Sequence, residues 1–200
     1  MKWQKIIWIP FLLGFFQSAQ AQDTLVFSSL SPYKYWKLSA LKEQAEAGNT
    51  EAQLYLGTHY WYGGNGGLIL TETQIQADEK LIGQDYYQAV IWFEEAAKKG
   101  ESRAQDYLGL AYASGAGGKQ VDLKQAFDWF EKSALQNNLC AQIHLAQAYA
   151  KGVGVAKDCR RAKDWVHQAI SSPEWGNIPF CDEKITTLKK IEKDGLECEN

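Results

Sequence analysis

One pattern recurs along this chain and constrains the fold more than any other feature. The segment CAQIHLAQAYAKGVGVAKDCRRAKDWVHQA (Cys140–Ala169) reads as a helix, a glycine-rich turn and a second helix. The same design stands upstream in RAQDYLGLAYASGAGGKQVDLKQAFDWFEKSA (Arg103–Ala134). A further copy is split between EAQLYLGTHYWYGG (Glu51–Gly64) and DYYQAVIWFEEAAKKG (Asp85–Gly100). Aligning the chain on itself superposes Ala52, Ala104 and Ala141, then Gly57, Gly109 and Ala146, then Tyr60, Tyr112 and Tyr149, then Gly63, Gly115 and Gly152. On the second helices Ala89, Ala126 and Ala162 correspond, as do Trp92, Trp129 and Trp165. A helix pair repeated about every 36 residues cannot bury its apolar face alone, so copies must stack into a solenoid. The first copy carries an inserted loop at 65–84.

The recurring residue types have physical roles. Alanine and glycine on the first helix let the second approach closely. Trp92, Trp129 and Trp165 are expected in the core, as wide apolar bodies bridging to neighbouring helices. Asp85 with Gln88, and Asp122 with Gln125, have the spacing of a capping box, and Asp158 stands where the third copy needs a cap. Upstream, Ser31-Pro32 predicts a helix start and Gly48 a C-cap. Downstream, Ile185, Leu188 and Ile191 give Asp182–Lys193 an apolar stripe. The expected organisation is a signal peptide at 1–21, a linker at 22–31 and one helical-repeat domain at 32–200. That domain has an N-terminal capping helix (32–48), repeats at 51–100, 101–137 and 138–170, and a C-terminal cap (171–200).

Through AQxxLGxxYxxG, a glycine-rich turn, a polar cap and AxxWFxxAA, the chain resembles the Sel-one-like repeats, relatives of the tetratricopeptide repeats. It departs from them in its long first connection, at Ala146 where the repeat carries glycine, and in its cysteine-bearing tail. The resemblance implies an all-α, right-handed superhelical α/α solenoid of antiparallel helix pairs that scaffolds protein–protein contacts. It also implies an exported bacterial type.

Export is the expectation from the residues as well. Lys2 and Lys5 precede an apolar run, Ile6–Phe16, and Ala19-Gln20-Ala21 is a small-x-small cleavage pattern, which together read as a signal peptide. No later segment is long and apolar enough to span a bilayer. The formal net charge of −3 becomes more negative once Lys2 and Lys5 are removed, which argues against nucleic acid as a partner. The four cysteines, Cys140, Cys159, Cys181 and Cys198, favour two disulfides in an exported chain. In an antiparallel stack Cys140 and Cys181 open helices at one end, while Cys159 and Cys198 meet at the other. The predicted pairs are therefore Cys140–Cys181 and Cys159–Cys198. Cys140–Cys159 would join opposite ends of one hairpin.

Catalytic chemistry finds little footing. His59, His144 and His167 are scattered over different helices and form no HExxH or other compact ligand set. Adjacent Glu94 and Glu95 diverge around a helix, and no GxSxG, phosphate loop or dinucleotide fingerprint occurs. No cofactor, metal or catalytic residue is assigned. The expected function is an exported, periplasmic or secreted protein-binding scaffold, including an inhibitor or immunity-type binder of an envelope enzyme or toxin. Its candidate contacts on the first helices are Gln53, Tyr55, His59, Gln105, Tyr107, Gln142 and His144. Beside the insertion stand Trp61, Tyr62, Tyr86 and Tyr87, aromatic anchors of the kind protein interfaces use. The competing reading is a cell-envelope hydrolase or peptidoglycan-binding protein, which would need convergent carboxylates in a cleft.

Overall fold

The computed structural model describes residues 38–63 and 83–171. The chain divides into two units, Met1–Trp36 and Lys37–Asn200, and the described residues all belong to the second. The predicted signal peptide, linker, C-terminal helix, Cys181 and Cys198 lie outside the described residues, as does nearly all of the insertion.

Among the described residues seven helices follow one another: α1 (Leu38–Glu46), α2 (Thr50–Tyr62), α3 (Tyr86–Lys98), α4 (Ser102–Ser114), α5 (Leu123–Ala134), α6 (Leu139–Lys151) and α7 (Cys159–Ile170), with a 3-10 turn at Ala116–Gly118 and no strand. Each helix packs on its neighbours in the chain, giving the all-α helix-pair stack that the periodicity predicts.

Two kinds of junction alternate. Between repeats, the positive-φ residue that closes one helix is followed directly by the cap of the next. After α1, the Gly48 N–H donates to Ala45 O and the Asn49 N–H to Gln44 O, both at 3.0 Å. This is a Schellman closure with Gly48 at φ +88°, a conformation that penalises a Cβ. Asn49 then caps α2, its side chain accepting from the Ala52 N–H. The same relay recurs at Gly100–Glu101 and at Asn137–Asn138, where Asn137 takes the positive φ. Within each hairpin, an aspartate does two jobs. Asp85, Asp122 and Asp158 cap α3, α5 and α7. Their backbone N–H groups also donate to the carbonyls of Tyr60, Tyr112 and Tyr149, at 2.8, 3.0 and 2.9 Å. The tie from Asp85 to Tyr60 brings the chain back to the end of α2 after the insertion, so the first hairpin closes like the others.

The core forms where small residues on first helices meet large ones on second helices. A Cβ on Gly57 would lie 2.5 Å from the Phe93 ring, and one on Gly109 would overlap Phe130. In the third copy Ala146 packs in one cluster with Val166 instead. This corrects the tryptophan expectation. Phe93, Phe130 and Val166 are the buried residues, whereas Trp92, Trp129 and Trp165 one position earlier are only half-buried. Their bridging role is clearest in Trp165, which packs at the margin of two core clusters. The turn glycines dock repeat on repeat. A Cβ on Gly117 would lie 2.6 Å from Tyr86 O, and one on Gly154 would strike Leu123 O, both at the start of the preceding second helix.

Candidate functional site

The end of α2 and the start of α3 build an aromatic assembly with α4. The Trp61 ring meets Tyr86 edge-on at 4.8 Å and lies 5.8 Å from Phe93 and 5.6 Å from Tyr107. Tyr107 stacks on Phe93 at 4.4 Å, nearly parallel. Its hydroxyl lies 3.2 Å from that of Tyr62, whose ring meets Tyr107 edge-on. Burial holds the Tyr107 hydroxyl well above the usual phenol range, and burial also raises that of Tyr62. Both therefore stay neutral hydrogen-bonding groups at physiological pH. Gln84 ties the returning chain to this assembly by donating to Trp61 O at 2.9 Å and to the Tyr86 hydroxyl at 2.8 Å. The outer rim is open to solvent, with Tyr62 41% and Tyr86 39% exposed, and Tyr87, next in the chain, is 62% exposed.

The other candidates divide sharply. Tyr55 and His59 are half-buried on α2, and the Arg103 guanidinium lies 5.5 Å over the Tyr55 ring. Gln53, Gln105, Gln142 and His144, candidate contacts on the first helices, are buried and so are not available to a partner. Gln53 Nε2 donates to Ala45 O at 3.0 Å and Gln105 Nε2 to Ala97 O at 3.4 Å, so each reaches back to the last turn of the preceding helix. Their Oε1 atoms accept from Lys99 Nζ at 3.1 Å and Gln136 Nε2 at 2.8 Å. These glutamines are internal ties between repeats. Their recurrence at one repeat position was the available signal, since a polar residue fixed in a helix start more readily serves the fold than a variable partner.

His144 Nδ1 lies 2.8 Å from Asp106 Oδ1, joining α6 to α4, and the imidazole lies 4.5 Å from the Phe130 ring. Sequence reasoning passed over Asp106. The signal was an acid where the other copies carry Leu54 and Ile143. Among the described residues no group of three or more His, Cys, Asp or Glu could hold a metal ion, and no helix is long and apolar enough to cross a membrane. Neither described cysteine, Cys140 or Cys159, is a free thiol.

The Sel1 repeat family model matches residues 50–69, 79–101, 102–138 and 141–172. The chain belongs to the Sel1-repeat family. The matched segments leave out residues 70–78, in the middle of the insertion. A Sel1 repeat protein from Oxalobacter formigenes is 31% identical, with a TM-score of 0.53 over 75% of this chain and 97% of that one. A protective antigen of uropathogenic Escherichia coli strains displaying an SLR fold is 31% identical, covering 82% of this chain and 38% of that one at a TM-score of 0.47. The Arabidopsis thaliana HRD3A component of an ERAD-associated E3 ubiquitin-protein ligase is 34% identical over 77 residues, which is 38% of this chain and 9% of that protein. This chain thus matches only a small part of that relative's length. As a Sel1-repeat chain it has the helix-pair architecture of a protein-interaction scaffold.

Proposed function

We propose that this Sel1-repeat chain is an exported scaffold that binds a protein through the tyrosine ledge formed by Tyr62, Tyr86 and Tyr87. The observation that carries this reading is the exposure of the Tyr62 and Tyr86 phenols on a rigid base of Trp61, Phe93 and Tyr107, with the more exposed Tyr87 next to Tyr86 in the chain. Rigid aromatic anchors lose little side-chain entropy on binding and supply large contact area, which is why they dominate interface energetics. Half-buried Tyr55 and His59 extend the same face along α2. The apolar, cleavable-looking start and the cysteine-rich last third support action in the periplasm or outside the cell, as an inhibitor or immunity-type binder of an envelope enzyme or toxin. Cys140–Cys181 and Cys159–Cys198 are the proposed bridges, because Cys140 and Cys159 open the successive helices α6 and α7 at opposite ends of their hairpin.

The test is affinity capture from envelope extract with the wild-type chain and with a Tyr62→Ser/Tyr87→Ser variant. A specific protein should be captured by the wild type, and the variant should bind it at least about tenfold more weakly, the loss of roughly 1.4 kcal/mol expected of a minor anchor pair. Equal binding by both chains would remove the ledge from the contact. Recovery of no specific protein would count against the scaffold role.

A further inference from the structure

A cavity of about 310 Å³ opens between α4, α5 and α6, with Leu110, Phe127, Phe130, His144, Gln147 and Lys151 in its wall. The repeat itself supplies a template for what such a space holds. Shifted back by one copy, Leu123, Phe130 and His144 of this wall correspond to Tyr86, Phe93 and Tyr107. Those three rings are the ones that surround the Trp61 indole in the upstream junction. The counterpart of Trp61 in the cavity wall is Ala113. The same framework is therefore closed by an indole at one junction and left open at the next.

Charge distinguishes the two junctions further. Lys151, exposed at the cavity, replaces Ser114 of the upstream junction, and the lining contains no acidic residue. The volume lies at the small end of ligand pockets, suited to a single side chain.

We propose that this cavity receives an aromatic side chain of indole size from an acidic segment of a partner protein, with the partner's carboxylates beside Lys151. Burying the ring against Phe127 and Phe130 supplies the anchor, and the charge pairing fixes the orientation and excludes basic segments. The inference rests on the scaffold reading and adds a second contact, separate from the tyrosine ledge.

The full chain is titrated with the blocked peptide Glu-Glu-Trp-Glu-Glu and followed by amide NMR. Shifts should centre on Ala113, Ala126 and Ala148, and replacing the flanking acids by lysines should abolish them. Ala113→Trp fills the cavity as Trp61 fills its counterpart, so it should weaken peptide binding at least about tenfold with no fall in Tm. Lys151→Glu, a change at an exposed position, should weaken binding severalfold. Absence of binding, shifts centred elsewhere, undiminished binding by both variants, or equal binding of the lysine-flanked peptide overturns the proposal. Failure of the peptide to bind, with a partner still captured through the ledge, would leave the scaffold reading standing while the cavity proposal fell.

Discussion

At the scale of single residues, the fold depends on how large and small side chains are paired across each hairpin. Gly57 faces Phe93 and Gly109 faces Phe130, whereas Ala146 shares its cluster with Val166. The third copy thus carries a compensated exchange, a methyl gained on one helix and a ring given up on the other. Gly109→Ala should destabilise the chain by about 1–3 kcal/mol through overpacking. Combined with Phe130→Val, it should cost less than the two single changes added together, with a favourable coupling of at least about 0.5 kcal/mol in urea unfolding. Strict additivity would show that the pairs are independent. The Ala146 departure is legible in the chain, but its compensation is not. Trp165 and Val166 are adjacent, and a helix turns about 100° between them, so which one faces α6 depends on a rotation that self-alignment does not report. The same ambiguity put Trp92 in the core in place of Phe93. It also made Gln53, Gln105 and Gln142 candidate contacts, when the Gln53 and Gln105 amides donate to Ala45 O and Ala97 O and Gln142 is buried.

At the scale of elements, the turns carry the register. Asp85, Asp122 and Asp158 are readable as caps because a short acid before a helical stripe has one obvious use. The relays at Asn49, Glu101 and Asn138 are harder to read. Each begins a helix immediately after a positive-φ residue, and glutamate is not a favoured cap type. The glycine-rich turns are legible as turns, but the reason for individual glycines needs the neighbouring repeat. Gly117 and Gly118 both have positive φ, at +65° and +77°, so both pay a similar conformational penalty on substitution. They differ in what a Cβ meets: Tyr86 O and Val90 at Gly117, only the edge of Tyr87 at ordinary contact distance at Gly118. Gly117→Ala should therefore lower Tm more than Gly118→Ala, with an excess destabilisation of about 1–3 kcal/mol from the forced displacement of α3. Equal losses would mean that conformation alone selects glycine there and that the docking of turn on helix contributes nothing.

At the scale of the whole molecule, the described helices form a chain of nearest-neighbour contacts, each packed on the helix before and the helix after. Stability in such an array is a sum of local terms, and a perturbation at one end need not reach the other. The aromatic assembly lies at the α2–α3–α4 junction, while all four cysteines lie in the last third of the chain, with Cys140 and Cys159 at the starts of α6 and α7. Cross-links of this kind stabilise by about 2–4 kcal/mol each. Reduction should then lower the hydrogen-exchange protection of α6 and α7 at least about tenfold while that of α3 and α4 changes little. The functional consequence separates the two contact surfaces. A partner held by Tyr62 and Tyr87 should remain bound under reducing conditions, because its platform is built from helices that stay closed. A peptide held in the cavity should be released, because α6 contributes His144, Gln147 and Lys151 to the wall. If reduction instead strips protection evenly from α2 to α7, the repeats open as one cooperative unit, and both surfaces must fail together.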